Sequence, residues 1–258
     1  MSLKTFSIFY YGHTVTQSNY NINFTEGAGP EQTAELNIGE YSLEDFADEV
    51  KRALDAQGAL TYTVSVNRAT GTLSISATGV FGLLVATGSQ FGTSAFPLMG
   101  FSGGDSTGLN NYTGNNSCGS QYEPQFILQD HIPTTAFQST VETSINKAAD
   151  GNLEIINFGT EKFLQCNIKY ITNIPQDGQI IKSNRTGYED AVSFMQYITT
   201  RAPIEFMANI NNRLSFETVR LESTPDFSNG TGFKLKELYD KGLPDYFDTG
   251  VLKFRLIE

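Results

Sequence analysis

The chain has 258 residues, 39% of them apolar, with 19 Phe, 12 Tyr, 24 Gly, no Trp and a formal net charge of −11. A chain of this length buries roughly 70–75% of its unfolded surface, so neither disulfides nor metals are needed to make a core, and one large or two ordinary domains fit. The acidic balance argues against nonspecific binding to nucleic acid or anionic lipid, because each phosphate contact needs a cation. Residues 1–125 carry 4 basic and 11 acidic side chains and the remainder 13 and 17, so neither half offers a basic footprint.

The opening segment MSLKTFSIFYYGHTV holds one lysine and a short, interrupted apolar patch. Neither a secretory signal nor a membrane-spanning helix is expected there, and the mature chain is expected to start where it is translated. Ser42 as N-cap, with Asp45 three residues on, predicts a helix over 42–57. Leu43, Phe46, Ala47, Val50, Ala53 and Leu54 recur at helical spacing and Gly58 supplies the stop. Glu44, Asp45, Asp48 and Glu49 fall in its first half, where negative charge complements the macrodipole, and read as a solvated face. Leu60, Tyr62, Val64 and Val66 then alternate with polar residues, Asn67 to Gly71 (NRATG) makes a turn, and Leu73, Ile75 and Ala77 alternate back as a hairpin. Val80 to Ala86 reads as a further short buried strand, and FPLMGF (Phe96 to Phe101) as an apolar plug closing the module. A phosphate cradle would need its glycines between a strand and a helix N-terminus, with a lysine or an aligned amide nest. No helix is predicted to follow, and no lysine occurs between Lys51 and Lys147.

Residues 102–125 are rich in Gly, Asn and Ser and read as a linker, and 126–148 as an extended arm reaching for a neighbour. Leu153 and Ile155, then Leu164, Cys166, Ile168 and Tyr170, suggest two strands, with IPQDGQ (Ile174 to Gln179) as a turn. Tyr188, Ala191, Met195 and Ile198 share a face of a second helix over 187–202, which Pro203 ends. Ile204, Phe206, Ala208 and Ile210 form a strand, Leu214 to Glu222 returns with a bulge after Phe216, and Leu252, Phe254 and Leu256 mark a terminal strand stitched into a sheet. The predicted fold class is α+β, mainly antiparallel β, in two modules that each pack a sheet or sandwich with one helix. The boundaries are 1–101, a linker and arm at 102–149, and 150–258.

Chemistry-bearing constellations are sparse. Cys118 and Cys166 read as free thiols. The sequons at Asn23, Asn111, Asn115, Asn184 and Asn229 read as turn chemistry. His13 and His131 lack metal-ligand spacing, and His131 beside Asp130 reads as a surface-loop histidine. PDFSNGTG (225–232) and PDYFDTG (244–250) lack calcium-loop spacing and read as turns. Glycoside hydrolysis needs a carboxylate pair on a rigid cleft, and such clefts usually display the tryptophan platforms this chain lacks. No catalytic, cofactor-binding or metal-ligating residue is therefore assigned, no cofactor is expected, and the chain is read as non-enzymatic.

The order IGEYSLEDFADEVKRALDAQ, YTVSVNRATGTLSIS, FGLLVATGSQFGTSAFPLMGF resembles a module of tailed-bacteriophage structural proteins, whose Leu-Gly-Phe-like ending reads here Leu98-Met99-Gly100-Phe101. The runs KFLQCNIKYIT, GYEDAVSFMQYITTRAPIEFM and TGVLKFRLIE are similar to the sandwich-plus-helix fold of phage tail tube, distal tail and baseplate ring subunits. The resemblance implies a virion tail protein, assembled in the host cytoplasm as a homo-oligomeric ring, six-fold by analogy with tail tubes. It also implies tail tube, hub or baseplate proteins as neighbours, an acidic lumen passing duplex DNA without specific binding, and no membrane insertion. A host-surface carbohydrate-binding or adhesion module is the alternative, with the Tyr-bearing loop 108–122, and Tyr112 above all, as its aromatic platform.

Overall fold

The computed structural model describes residues 8–122, 126–128, 137–147, 153–169, 171–172, 188–207, 216–222, 236–237 and 246–257. Within them the fold is α+β and mainly antiparallel β, with two α-helices. The turn expected at 174–179, the loop bearing His131, the stretch 208–215 and the segment 225–232 lie outside the described residues. The chain divides into two compact units that do not follow sequence order: an N-terminal unit of Ile8–Tyr122 plus Ala202–Phe216, and a C-terminal unit of Glu123–Arg201 and Glu217–Glu258 with the first seven residues.

In the N-terminal unit, β1 (Ile8–Tyr11), β2 (His13–Val15), β3 (Asn21–Glu26), β4 (Glu31–Glu35) and β5 (Gly39–Tyr41) precede α1 (Leu43–Gln57). Helix α1 is capped as the sequence predicts, the Asp45 N–H donating to Ser42 Oγ at 3.2 Å. It stops at Gly58 for a reason the stop signal does not carry. Gly58 has a negative φ, and a Cβ there would lie 2.4 Å from Glu26 Oε1, the carboxylate that accepts from the Ala59 and Leu60 N–H groups. The apolar face of α1 packs on β4, β5 and β6 (Tyr62–Asn67). β6 pairs with β7 (Thr72–Leu83) across the expected hairpin turn, closed by Gly71 at φ +68°. β7 runs unbroken through Leu83, so the separate strand read at Val80–Ala86 is the continuation of the hairpin; Val80 is exposed. The FPLMGF plug buries Phe96, Met99 and Phe101 as expected.

The linker read at 102–125 needs correction, because most of it is folded. β8 (Ser106–Thr113) pairs antiparallel with β7, and β9 (Ser120–Tyr122) with β1. The residues that hold β8 are aromatic. Phe24, Tyr62, Phe81 and Tyr112 form a run of edge-to-face contacts across β3, β6, β7 and β8, with centroids 5.9, 5.4 and 4.9 Å apart. One buried tyrosine and a backbone ladder hold a strand whose other side chains, exposed Leu109 apart, are polar. The sequons at Asn23 and Asn111 accordingly sit in strands, not turns.

The second departure is β14 (Ile204–Met207). All four of its residues are buried, and it pairs with β1 in the register Ile8↔Met207, Phe9↔Phe206, Tyr10↔Glu205. A strand from the C-terminal half thus completes the N-terminal core, and the boundary read at 150 does not separate the two units.

In the C-terminal unit, β10 (Phe126–Leu128) and β11 (Phe137–Lys147) both pair with β12 (Leu153–Lys169). The arm read at 126–148 therefore supplies two strands to its own sheet, and the two strands read between 153 and 170 are one. β13 (Ile171–Thr172), β16 (Lys236–Glu237) and β17 (Tyr246–Asp248) make a three-stranded sheet. Helix α2 (Tyr188–Ile198), shorter than the predicted 187–202, buries Ala191, Phe194, Met195 and Ile198; Arg201 beyond it has φ +60°. β15 (Glu217–Leu221) and β12 flank β18 (Val251–Leu256), whose Leu252 and Phe254 are buried, so the terminal strand is sheet-bound as read.

Candidate functional site

Among the described residues, His13 lies beside Cys118, an imidazole next to a thiol-bearing residue. Its Nε2 stands 3.3 Å from the Cys118 carbonyl oxygen, not the thiol, and its Nδ1 has no hydrogen-bond partner. Burial pushes the imidazole down to about 4, against the backbone bond to Cys118, and pushes the Cys118 thiol up to about 12. A neutral imidazole facing a carbonyl beside a protonated thiol cannot generate a thiolate nucleophile. Cys166 is likewise free and buried, its thiol up at about 12. Among the described residues, no three His, Cys, Asp or Glu side chains converge as metal ligands.

The strongest electrostatic assembly is built on Arg68, in the hairpin turn that reads from sequence as polar punctuation. Its Nε and Nη2 donate to Glu205 Oε2 and Oε1 at 2.7 and 3.0 Å, and Nη2 also pairs with Glu44. The guanidinium carbon lies 3.6 Å from the Phe216 ring centroid, and the Tyr10 hydroxyl donates to the Arg68 carbonyl. Burial pushes the Glu205 carboxyl up, aided by Glu44 and Asp45, while Arg68 opposes the rise. A forked guanidinium stacked on an aromatic is a geometry lysine does not reproduce. The Arg68 guanidinium and the Glu205 carboxylate engage each other within the same unit, so the assembly fixes where β14 sits. Neither Arg68 nor Glu205 belongs to a sequence motif; the visible trace is that Arg68 is the only basic residue between Arg52 and Lys147.

The helix face read as solvated is partly committed as well. Glu49 is buried, accepting from Arg52 and from the Asn37 N–H, and Glu44 pairs with Arg68. Glu49 is held below the usual carboxylate range, burial being overcome by the Arg52 and Asn37 hydrogen bonds. Between α1 and β4 lies a groove of about 470 Å³ lined by Thr33, Glu35, Leu36, Asn37, Arg52 and Ala53. Arg52 is occupied by Glu49 and the Glu35 carbonyl.

Tyr112, the aromatic platform of the carbohydrate reading, is core. It is 8% exposed, packs edge-on to Phe81, donates to the Phe81 carbonyl and accepts from the Leu109 N–H. A saccharide cannot stack on it, and this overturns the feature on which that alternative rested.

Two extended features remain. The first is the ribbon of β11 and β12. β18 pairs with β12 only over Phe163–Asn167, whereas β11 follows β12 down to Leu153. Among the described residues, β12 from Leu153 to Lys162 is paired on one side alone. At about 3.4 Å per residue that ribbon runs roughly 34 Å past the sheet. The second is the outer face of β6, β7 and β8, where Thr63, Ser76 and Asn111 stand abreast, as do Ser65, Ser74 and Thr113, with no ionised side chain among them. No helix among the described residues is long and apolar enough to cross a membrane. No protein-family model matches the chain, and no curated protein matches its sequence.

Proposed function

We propose that this chain is a non-enzymatic structural subunit of a bacteriophage tail, of the distal tail, tube or baseplate class, that assembles into a homo-oligomeric ring around an acidic channel. The β11–β12 ribbon carries the reading. A two-stranded ribbon is marginal in water by itself, and its natural support is another protein surface. A second copy of the chain supplies that surface when each subunit lays its ribbon on the next, and a repeated head-to-tail contact of this kind makes a ring where its rotation closes. The formal charge of −11 supports the channel assignment, because an acidic wall repels DNA phosphate and lets duplex pass without gripping it. The polar groups of the N-terminal unit support a structural role, since Arg68, Glu49 and His13 are all engaged in or buried by the fold itself.

The neighbours in this reading are copies of the chain and the tube, hub or baseplate proteins above and below it, in the virion tail, with six copies per ring. The test is electron microscopy of assembled tails with this chain traced. Closed six-fold rings, with the β11–β12 ribbon of each copy on its neighbour and a negative lumen, are the expected result. A monomeric peripheral spike, or a basic lumen in contact with DNA, overturns the proposal.

A further inference from the structure

Charge is distributed very unevenly along this acidic chain. Between Asp55 and Glu123 the only carboxylate or basic side chains are Arg68 and Asp105. Arg68 is bound to Glu205 and Glu44, and Asp105 accepts from the Ala86 and Thr87 N–H groups. This segment builds β6, β7 and β8, so their outward face is hydroxyl and amide only, joined by exposed Val80 and Leu109.

β8 is also an edge. Among the described residues it pairs with β7 alone. Edge strands expose a row of backbone donors and acceptors that can pair with another chain, and proteins commonly guard them with charges, proline or bulges. β4, at another edge of the same sheet, carries Glu31 and Glu35, and β6 has α1 packed against it. β8 departs from a regular ladder with β7 twice, at Gly108 (φ +86°), where the register shifts from Leu109 to Thr107, and between Leu109 and Asn111, which face Phe81 and Ser76. The segment Leu109–Thr113 (Leu-Asn-Asn-Tyr-Thr) carries no charge and no proline, and all but Tyr112 are exposed.

We infer that Leu109–Thr113 is a self-association edge, which pairs antiparallel with the same segment of a second copy. The occupant follows from charge. Two copies at −11 each repel wherever their carboxylates approach, and this edge with its flanking face lets them meet without doing so. Nucleic acid and anionic lipid find no cation here, and a basic partner would be drawn to the acidic surfaces instead. Hydroxyl and amide side chains both donate and accept, so the surface is complementary to itself, as a two-fold contact requires. An antiparallel pairing centred on the segment sets Asn111 opposite Asn111 of the second copy and Thr113 opposite Leu109, whose N–H stays with the Tyr112 hydroxyl. This contact is two-fold, is separate from the ribbon contact proposed for the ring, and does not depend on that reading.

The test is sedimentation equilibrium of the full chain from micromolar to millimolar concentration, together with amide hydrogen exchange of residues 106–113. The wild type should pass from one copy to two as concentration rises, with amides in 109–113 gaining protection in step. Asn111→Lys places two lysines directly opposite each other and should abolish both effects, because like charges facing across a strand pair are destabilising. Asn111→Thr, uncharged and suited to a strand, should retain them. Residue 111 is exposed and opposite Ser76, so far-ultraviolet circular dichroism of both variants should match the wild type. A wild type without concentration-dependent protection of 109–113, or a dimer that survives Asn111→Lys, overturns the inference. Rings that form in the Asn111→Lys variant leave the ring proposal standing, and rings absent from a wild type that dimerises count against the ring proposal alone.

Discussion

Replacing Arg68 by methionine isolates the most consequential polar contact of the N-terminal unit. Methionine keeps much of the aliphatic stem and removes the guanidinium, leaving Glu205, with no exposed surface, as an uncompensated buried carboxylate. Breaking a buried pair from one side costs about 3–5 kcal/mol. The Glu44 contact is half-exposed at 49% and adds no more than about 1 kcal/mol. Urea unfolding followed by tyrosine near-ultraviolet circular dichroism reads the loss directly. Adding Glu205→Gln should restore most of it, because no charge then remains in the core. The pH dependence has a definite sign. Burial already pushes the Glu205 carboxyl up with Arg68 in place, and without Arg68 the rise is larger. A carboxyl with a raised folded pKa favours the folded state most below its unfolded value and loses that contribution as pH rises through the folded value. The cost of Arg68→Met should therefore be smaller near pH 4 than at pH 7. A cost below about 1 kcal/mol, or one that does not change with pH, would refute the view that Arg68 neutralises a buried charge.

His13 behaves in the opposite sense. It is a base with a lowered folded value of about 4 against 6.5, so its contribution is complete above pH 6.5 and lost as pH falls toward 4. It should account for roughly 3 kcal/mol of acid destabilisation over that range, and in His13→Gln that part of the slope should vanish from a stability-versus-pH curve. Met195 in α2 has no exposed surface. Met195→Ala should cost about 2–5 kcal/mol in urea unfolding of the C-terminal unit, and a change within error would contradict its core role.

Local signals in the sequence were sufficient wherever one element carries its own pattern. The Ser42 cap, the Leu43–Leu54 stripe, the hairpin around Arg68 and the strand ending at Leu256 are each specified by residues within a few positions of one another. β8 was hidden because its position depends on a backbone ladder and on Tyr112 meeting Phe81, thirty-one residues away in sequence. β14 read correctly as a strand but gave no sign of its partner, since Ile8–Tyr11 and Ile204–Met207 meet across nearly the whole chain. Glu205 within an apolar run is a sign in the sequence of a carboxylate that needs a partner. The candidate surfaces were legible only in part. The charge-poor stretch from Ala56 to Tyr122, with only Arg68 and Asp105, is plain in the sequence, yet that its last strand forms a sheet edge emerges only from the pairing.

The discontinuous N-terminal unit makes a demand on how the protein can be cut. A fragment ending at Tyr122 keeps α1, the hairpin and β8 but lacks β14. It thereby leaves one side of β1 unpaired, removes Met207 from the core cluster and deprives Arg68 of Glu205. The two losses compound, because the same missing strand leaves backbone groups of β1 unpaired and Arg68 with only the half-exposed Glu44 as its partner. Fragment 1–122 should accordingly lack a cooperative urea transition and near-ultraviolet tyrosine signal. A variant in which residues 202–216 follow Tyr122 through a flexible Gly/Ser linker should regain both, since the linker restores chain and charge together. Cooperative unfolding of fragment 1–122 alone would mean that β14 only lies against a core already complete. Failure of the linked variant while the full chain folds would mean that residues 202–216 are not sufficient to complete this core.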